Sequence, residues 1–121
     1  MNGLQTHCEQ IANTINKGVV LTLEGLEDIE DRDAYEEGDM LSGWDYIQDA
    51  YNFRWVVDYQ DNVLECQIMV AGGGPEIWVH MFEDGSGRVE GYWWGDRATA
   101  RIMDDAMGVF EAAEEMYLTK G

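Results

Sequence analysis

Two apolar runs with a period of two, joined by one polar turn, constrain this chain more than any other feature. Phe53, Trp55, Val57 and Tyr59 alternate with Arg54, Val56 and Asp58, and beyond Asp61-Asn62 the residues Leu64, Cys66, Ile68 and Val70 alternate with Glu65, Gln67 and Met69. Successive side chains of a strand point to opposite faces of a sheet, so each run has one apolar face. A two-residue turn at Asp61-Asn62 pairs Tyr59 with Leu64, Val57 with Cys66, Trp55 with Ile68 and Phe53 with Val70. All eight then share a face, and a slip by one residue would turn a whole strand over.

The "GGGP" stretch at Gly72 to Pro75 breaks the second strand. After it, "EIWVHMF", "EDGSG" and "RVEGYWW" read as a second hairpin closed by a Gly-containing loop. Alternation places Trp78, Phe82 and Trp93 on one side and Val79, Met81 and Tyr92 on the other, which predicts partial cover on both faces. Helical spacing flanks the sheet. Leu4, Cys8, Ile11 and Ile15 recur at three and four with Lys17-Gly18 as a stop, and Trp44, Ile47 and Tyr51 suggest a short helix before the first strand. Asp96 after Gly95 is a candidate cap for a last helix striped by Ile102, Ala106, Val109, Ala113 and Met116, widened by Met103, Phe110 and Tyr117. The expectation is one α+β domain over residues 1–121. It has an acidic helical part over 1–51 and, over 52–121, a four-stranded antiparallel meander (about 52–94) with a C-terminal helix packed on the sheet.

A hydrophobic fraction of 45%, with five Trp and six Tyr, is enough to build a core, so wholesale disorder is excluded. The net charge of -18 argues against nucleic acid, anionic lipid or an acidic substrate as a direct ligand and points to a cationic partner or to solubility. No apolar run approaches a bilayer span and no secretion signal opens the chain, so a soluble cytoplasmic protein without membrane contact is expected. Cys8 and Cys66 sit among apolar neighbours and read as small core residues.

The acids are not spread evenly. From Glu24 to Asp39 the chain places Glu24, Glu27, Asp28, Glu30, Asp31, Asp33, Glu36, Glu37 and Asp39 against Arg32 alone, whereas residues 1–23 contain only Glu9. Apolar spacing near three through Val19, Val20, Leu23, Leu26 and Ile29 predicts that this run begins as a helix with a narrow buried stripe. If the helix continued to Asp49, adding Asp45 and Asp49, a net of -10 over about 39 Å would give one charge per roughly 3.9 Å. One DNA strand carries about one per 3.4 Å.

Catalytic and metal signatures are missing. His7 and His80 form no HxH or HExxH spacing, and no paired CxxC exists, so neither metal nor cofactor is expected. His80 reads as a packed strand residue. Ser42 and Ser86 lie in no nucleophile elbow, "EDGSG" lacks the ligand spacing of a calcium loop, and "GGGP" lacks the Lys-Ser/Thr of a phosphate loop. An enzyme is therefore not expected. The aromatic set Trp78, Tyr92, Trp93 and Trp94 is either core packing or a stacking platform, with Trp93 and Trp94 forced to opposite faces if both lie in a strand.

Three pieces, "GGP" at Gly73 to Pro75, "IWV" at Ile77 to Val79 and "VEGYWWGD" at Val89 to Asp96, resemble a pattern in small proteins carried by phages, plasmids and other mobile elements. The likeness covers about the second half of the chain; Glu76 stands where the pattern has Asn. In size and acidity the chain also resembles phage anti-restriction and anti-CRISPR inhibitors. The sequence pattern implies mobile-element biology only; the charge density of the acidic run, with the likeness in size and acidity, leads to the expectation of an inhibitor that imitates a nucleic-acid backbone and occupies a basic nucleic-acid-binding protein, such as a CRISPR effector or restriction enzyme. The contact residues would be the eleven acids from Glu24 to Asp49, with Trp78 and Trp94 as aromatic contacts. The competing readings are an interaction module whose acidic surface is merely solvated, and a small ligand-binding protein using the aromatic platform.

Overall fold

A computed structural model describes residues 3–29 and 32–119. It is an α+β arrangement in which a five-stranded antiparallel sheet, in the order β1-β2-β3-β4-β5, is a simple meander. The strands are β1 (Asn52–Val57), β2 (Val63–Ala71), β3 (Glu76–Phe82), β4 (Gly87–Trp93) and β5 (Asp96–Ile102). Three helices precede them, α1 (Gly3–Lys17), α2 (Leu23–Glu27) and α3 (Gly43–Ile47), and α4 (Val109–Thr119) follows. No helix among the described residues is long and apolar enough to cross a membrane.

Helix α1 forms where its spacing predicts, with Ala12 buried and the expected Ile11 only partly so. Leu4, Cys8, Ala12 and Ile15 are its buried stripe, and Gly18 ends it at φ +81, a conformation that favours glycine. The helix lies across β4 and β5. A Cβ at Gly91 would meet Cys8 Sγ at 2.7 Å and Leu4 Cδ1 at 2.8 Å, so the missing side chain is what lets helix and strand approach. Asn16 Oδ1 accepts from the Met103 and Asp104 amides at 2.6 and 3.0 Å, tying the far end of α1 to the end of β5. Helix α4 covers the other half of the same face, where the Trp55 indole donates to the Ala113 carbonyl at 2.9 Å. The core between sheet and helices includes Cys66, Ile68, Ile77, Val79, Met81, Val89 and Ile102. Burial pushes the Cys66 thiol up to about 12, helped by the charges of Glu114, Glu65 and Asp105, which leaves it a packing group rather than a nucleophile.

Four expectations need correction. The sheet has a fifth strand, because Trp94 (φ +54) and Gly95 (φ +84) both adopt the left-handed conformation and close a two-residue hairpin that sends Asp96 back to pair with Trp93. Asp96 therefore starts β5, and Ile102 closes it. The cap of α4 is Asp105, whose carboxylate accepts from the Val109 and Phe110 amides at 2.7 and 2.9 Å.

The first hairpin keeps its predicted face but not its predicted register. Phe53 pairs with Ile68 and Trp55 with Cys66, a displacement of two residues that preserves parity; a bulge at Val56/Val57 then brings Val57 opposite Val63. The turn is a longer loop organised by Asp58, which accepts from the Gln60 and Asn62 amides, both at 2.9 Å. Val63 takes the core position expected of Leu64, and Tyr59 is 95% exposed.

In the second hairpin, Glu76 pairs with Tyr92 and Trp78 with Glu90, so Tyr92 shares the face of Trp78, and Trp93 points the other way. The predicted cover on both faces of β3 is present, with Ile77 to Met81 all buried. Lastly, α3 ends at Ile47 and leaves Tyr51 exposed outside it.

The acidic loop and its groove

The acidic run is not a continuous helix in the described residues. Thr22 caps α2 by accepting the Gly25 amide at 3.1 Å, but α2 lasts five residues and buries none of them. Only a single 3-10 turn at Arg32–Ala34 follows before α3. Leu23 and Val20 are exposed, so the predicted buried stripe is absent. The 39 Å charged rod is replaced by a loop.

That loop is pinned at its base. Val20 and Met40 form an isolated antiparallel bridge, supported by backbone bonds from Leu21 N to Asp39 O, Gly38 N to Leu21 O and Leu41 N to Val19 O, each 2.8 Å. Tyr35 fastens the loop to the start of α3. Its hydroxyl donates to the Asp45 carboxylate, lies 3.0 Å from Ser42 Oγ and accepts from the Ser42 amide at 3.1 Å. Ser42 in turn caps α3 by accepting the Asp45 amide at 3.1 Å.

The eleven acids named from the sequence divide by what their oxygens do. Asp45 is occupied by Tyr35 and Ser42, and Asp39 accepts the Glu36 amide at 2.9 Å, so both hold the loop in shape. Glu24, Glu27, Asp28, Asp33, Glu36, Glu37 and Asp49 are exposed, and their carboxylates make no hydrogen bond or ion pair among the described residues. Glu30 and Asp31 lie outside the described residues. Glu27, Asp28, Asp45 and Asp49 converge on one groove of about 840 Å³ between the end of α2 and α3, whose apolar lining is Ile29, Leu41, Tyr46 and Trp44. Trp44 is 43% exposed there. Burial raises the Tyr46 hydroxyl above its ordinary range, so it stays a neutral hydrogen-bonding wall.

Neither aromatic contact named from the sequence lines this groove. Trp78 is 5% exposed on the sheet face turned away from α1 and α4, with the Arg54 guanidinium 4.4 Å above its ring and its indole donating to Glu76 at 2.8 Å. It is packed and cannot serve as an open contact. Trp94 is 90% exposed at the β4–β5 turn. That turn lies near the start of α1, where Leu4 meets Gly91, and the acidic loop follows the end of α1; the 15 residues of the helix span about 22 Å.

Sequence reasoning missed Tyr35 and Trp44, and it missed that His80 sits between two carboxylates. A signal existed for one part of the site: Ser42 followed three residues later by Asp45 is a capping pattern that marks the start of α3. Nothing in the spacing of Tyr35 announces its partner. Among the described residues no group of three or more His, Cys, Asp or Glu side chains is placed to hold a metal ion. Comparison with family models, with curated proteins and with solved structures returns no match for this chain.

Proposed function

We propose that the protein is an acidic inhibitor that imitates a nucleic-acid backbone and occupies the cationic channel of a DNA- or RNA-binding protein, in the manner of anti-restriction and anti-CRISPR factors. The observation that carries this reading is the set of exposed carboxylates at Glu24, Glu27, Asp28, Asp33, Glu36 and Glu37 on a loop clamped at its base, with Asp49 just beyond α3, none of them paired with a cation among the described residues. Charge held in place before binding costs less ordering on association, and a field of one sign steers a basic partner. The groove beside the loop adds apolar surface around Trp44, a residue type enriched among binding hot spots.

The test is a binding panel of purified restriction enzymes and RNA-guided nucleases, titrated with salt and with competing duplex. Binding should weaken as salt rises, and duplex should compete. The combined substitution Glu27→Gln, Asp28→Asn, Glu36→Gln and Glu37→Gln should leave the fold intact and lower affinity. A partner held equally tightly by that variant across the titration would sink the proposal.

A second reading, a module that docks through its aromatic hairpin tip, is favoured by Trp94. A bulky residue at φ +54 is strained where Asn or Gly would not be, and its ring is almost wholly in solvent. Under this reading Trp94→Asn raises the unfolding midpoint and abolishes binding to the same panel; retained binding sinks it.

A further inference from the structure

The sheet face opposite the helices holds one buried titratable group whose two polar atoms both meet carboxylates. His80 is 8% exposed in the central strand β3. Its Nδ1 lies 2.8 Å from Glu65 Oε2 on β2, and its Nε2 lies 3.1 Å from Glu90 Oε2 on β4. A neutral imidazole has one N–H and one lone pair, so it can donate to only one of two ionised carboxylates and must turn a lone pair on the other.

The neighbours decide which partner could carry a proton instead. Glu90 Oε1 accepts from Arg88 Nε at 3.0 Å and faces Arg97 Nη2 at 3.7 Å, while Oε2 accepts from the Tyr92 hydroxyl at 3.0 Å. Every contact of Glu90 is thus with a donor, which favours its ionised form. Glu65 Oε2 already accepts from Gln67 Nε2 at 2.7 Å. The remaining charged groups on this face are Arg54 beside Gln67 on β1, Glu76 beside Tyr92, and Arg101 beside Arg88 on β5, so cations surround the cluster on both flanks.

We infer that His80 is held as an imidazolium that donates to Glu65 and Glu90 at once, a proton-operated latch joining β2 to β4 across β3. Raising the pH removes the second ring proton to solvent hydroxide. One carboxylate then loses the imidazole donor and faces a lone pair at hydrogen-bond distance, and the latch opens on that side. The device is independent of the acidic loop and of the inhibitor reading.

The experiment uses the full chain with 15N-labelled histidine and His7→Gln, which leaves one imidazole to observe. Near neutral pH both ring nitrogens should carry protons, and raising the pH should remove one of them while amide exchange quickens in β2 and β4 before it does in α1. In Glu65→Gln the amide can donate to Nδ1, so the ring should carry a single proton near neutral pH. A single ring N–H near neutral pH with Glu65 intact overturns the inference. So does an alkaline quickening of β2 and β4 exchange that is the same in His80→Gln; if that variant does not fold, the ring signals of the His7→Gln protein decide alone.

Discussion

The acidic loop and the open face of the sheet treat the same side chains in opposite ways. On the sheet, Glu90 touches Arg88, Tyr92 and His80, and the two Arg–carboxylate ion pairs and the two His80–carboxylate contacts among the described residues all lie on this face. On the loop, six carboxylates point into solvent, and Asp49 does so beyond α3, with no cation paired to them among the described residues. Four of the seven basic residues, Arg54, Arg88, Arg97 and Arg101, belong to the sheet face by their strand pairing, so the chain spends its few cations where carboxylates are half-buried. The difference teaches that the charge of -18 is not uniform repulsion. Where carboxylates are enclosed they are neutralised for stability, and where they are bare they are available to a partner.

Removing the neutralised kind should have the largest effect. Glu90→Gln withdraws the charge from His80, Arg88 and Arg97 at a site only 13% exposed and should lower stability by about 3 kcal/mol, read from the urea midpoint. No change in midpoint would mean that the cluster is solvated like the loop. Acid should expose the same asymmetry. Burial raises Glu90, but hydrogen bonds from Arg88 and Tyr92 and the charges of His80 and Arg88 outweigh it and hold the carboxyl below the usual glutamate range. A lowered value means that the unfolded chain binds the proton more readily. This contribution is therefore present above the ordinary carboxylate range and is lost as pH falls through the depressed value. Glu90→Gln should flatten that part of the acid limb in a pH series of unfolding curves.

A smaller and more local effect is expected at the loop's fastening. Tyr35→Phe removes the hydroxyl shared by Asp45 and Ser42 and should cost about 1 kcal/mol, seen as faster amide exchange in residues 33–42 with the sheet unaffected. Uniform loss of protection across the sheet would show that the loop is part of the global fold. The smallest effect belongs to the bare acids. Glu24→Gln, Glu36→Gln and Glu37→Gln should each leave stability within about 0.5 kcal/mol, since exposed substitutions away from packing do little. A clear drop in any of them would reveal a cation partner.

What could be read from the chain and what could not follows the range of the forces involved. The stripe of α1, the strand periods and the GGGP break are local patterns, and the structure bears them out. The register at Val56/Val57 could not be read, because a bulge depends on how Asp58 folds the following loop, and a displacement of two leaves the apolar parity unchanged. Strand β5 reads as the start of a helix because Asp96 is a good cap and Ile102, Ala106 and Val109 are spaced like a helical stripe; the deciding fact is Trp94 in a conformation that bulky residues rarely adopt. The acidic run kept its composition and lost its shape. Apolar spacing near three suggested a helix through Leu23 and Leu26, but with no surface to bury that stripe, α2 stops after one turn and the base bridge and Tyr35 set the path. Trp78 was named for its type, and its burial beneath Arg54 required knowing which strands were neighbours.

The position of α1 across β4 and β5 also sets an order of events during synthesis. Each strand of the meander pairs with its immediate neighbour in sequence, so the sheet can assemble progressively as the chain lengthens. Helix α1 cannot dock at that pace. Its surface is made by Gly91, by Thr99, whose carbonyl accepts from Gln5 at 2.7 Å, and by the amides of Met103 and Asp104, all of which leave the ribosome after nearly the whole sheet. Until then Leu4, Cys8, Ala12 and Ile15 remain an uncovered apolar stripe on the nascent chain. Helix α1 is made before the surface that buries it, and it is a segment a chaperone would meet.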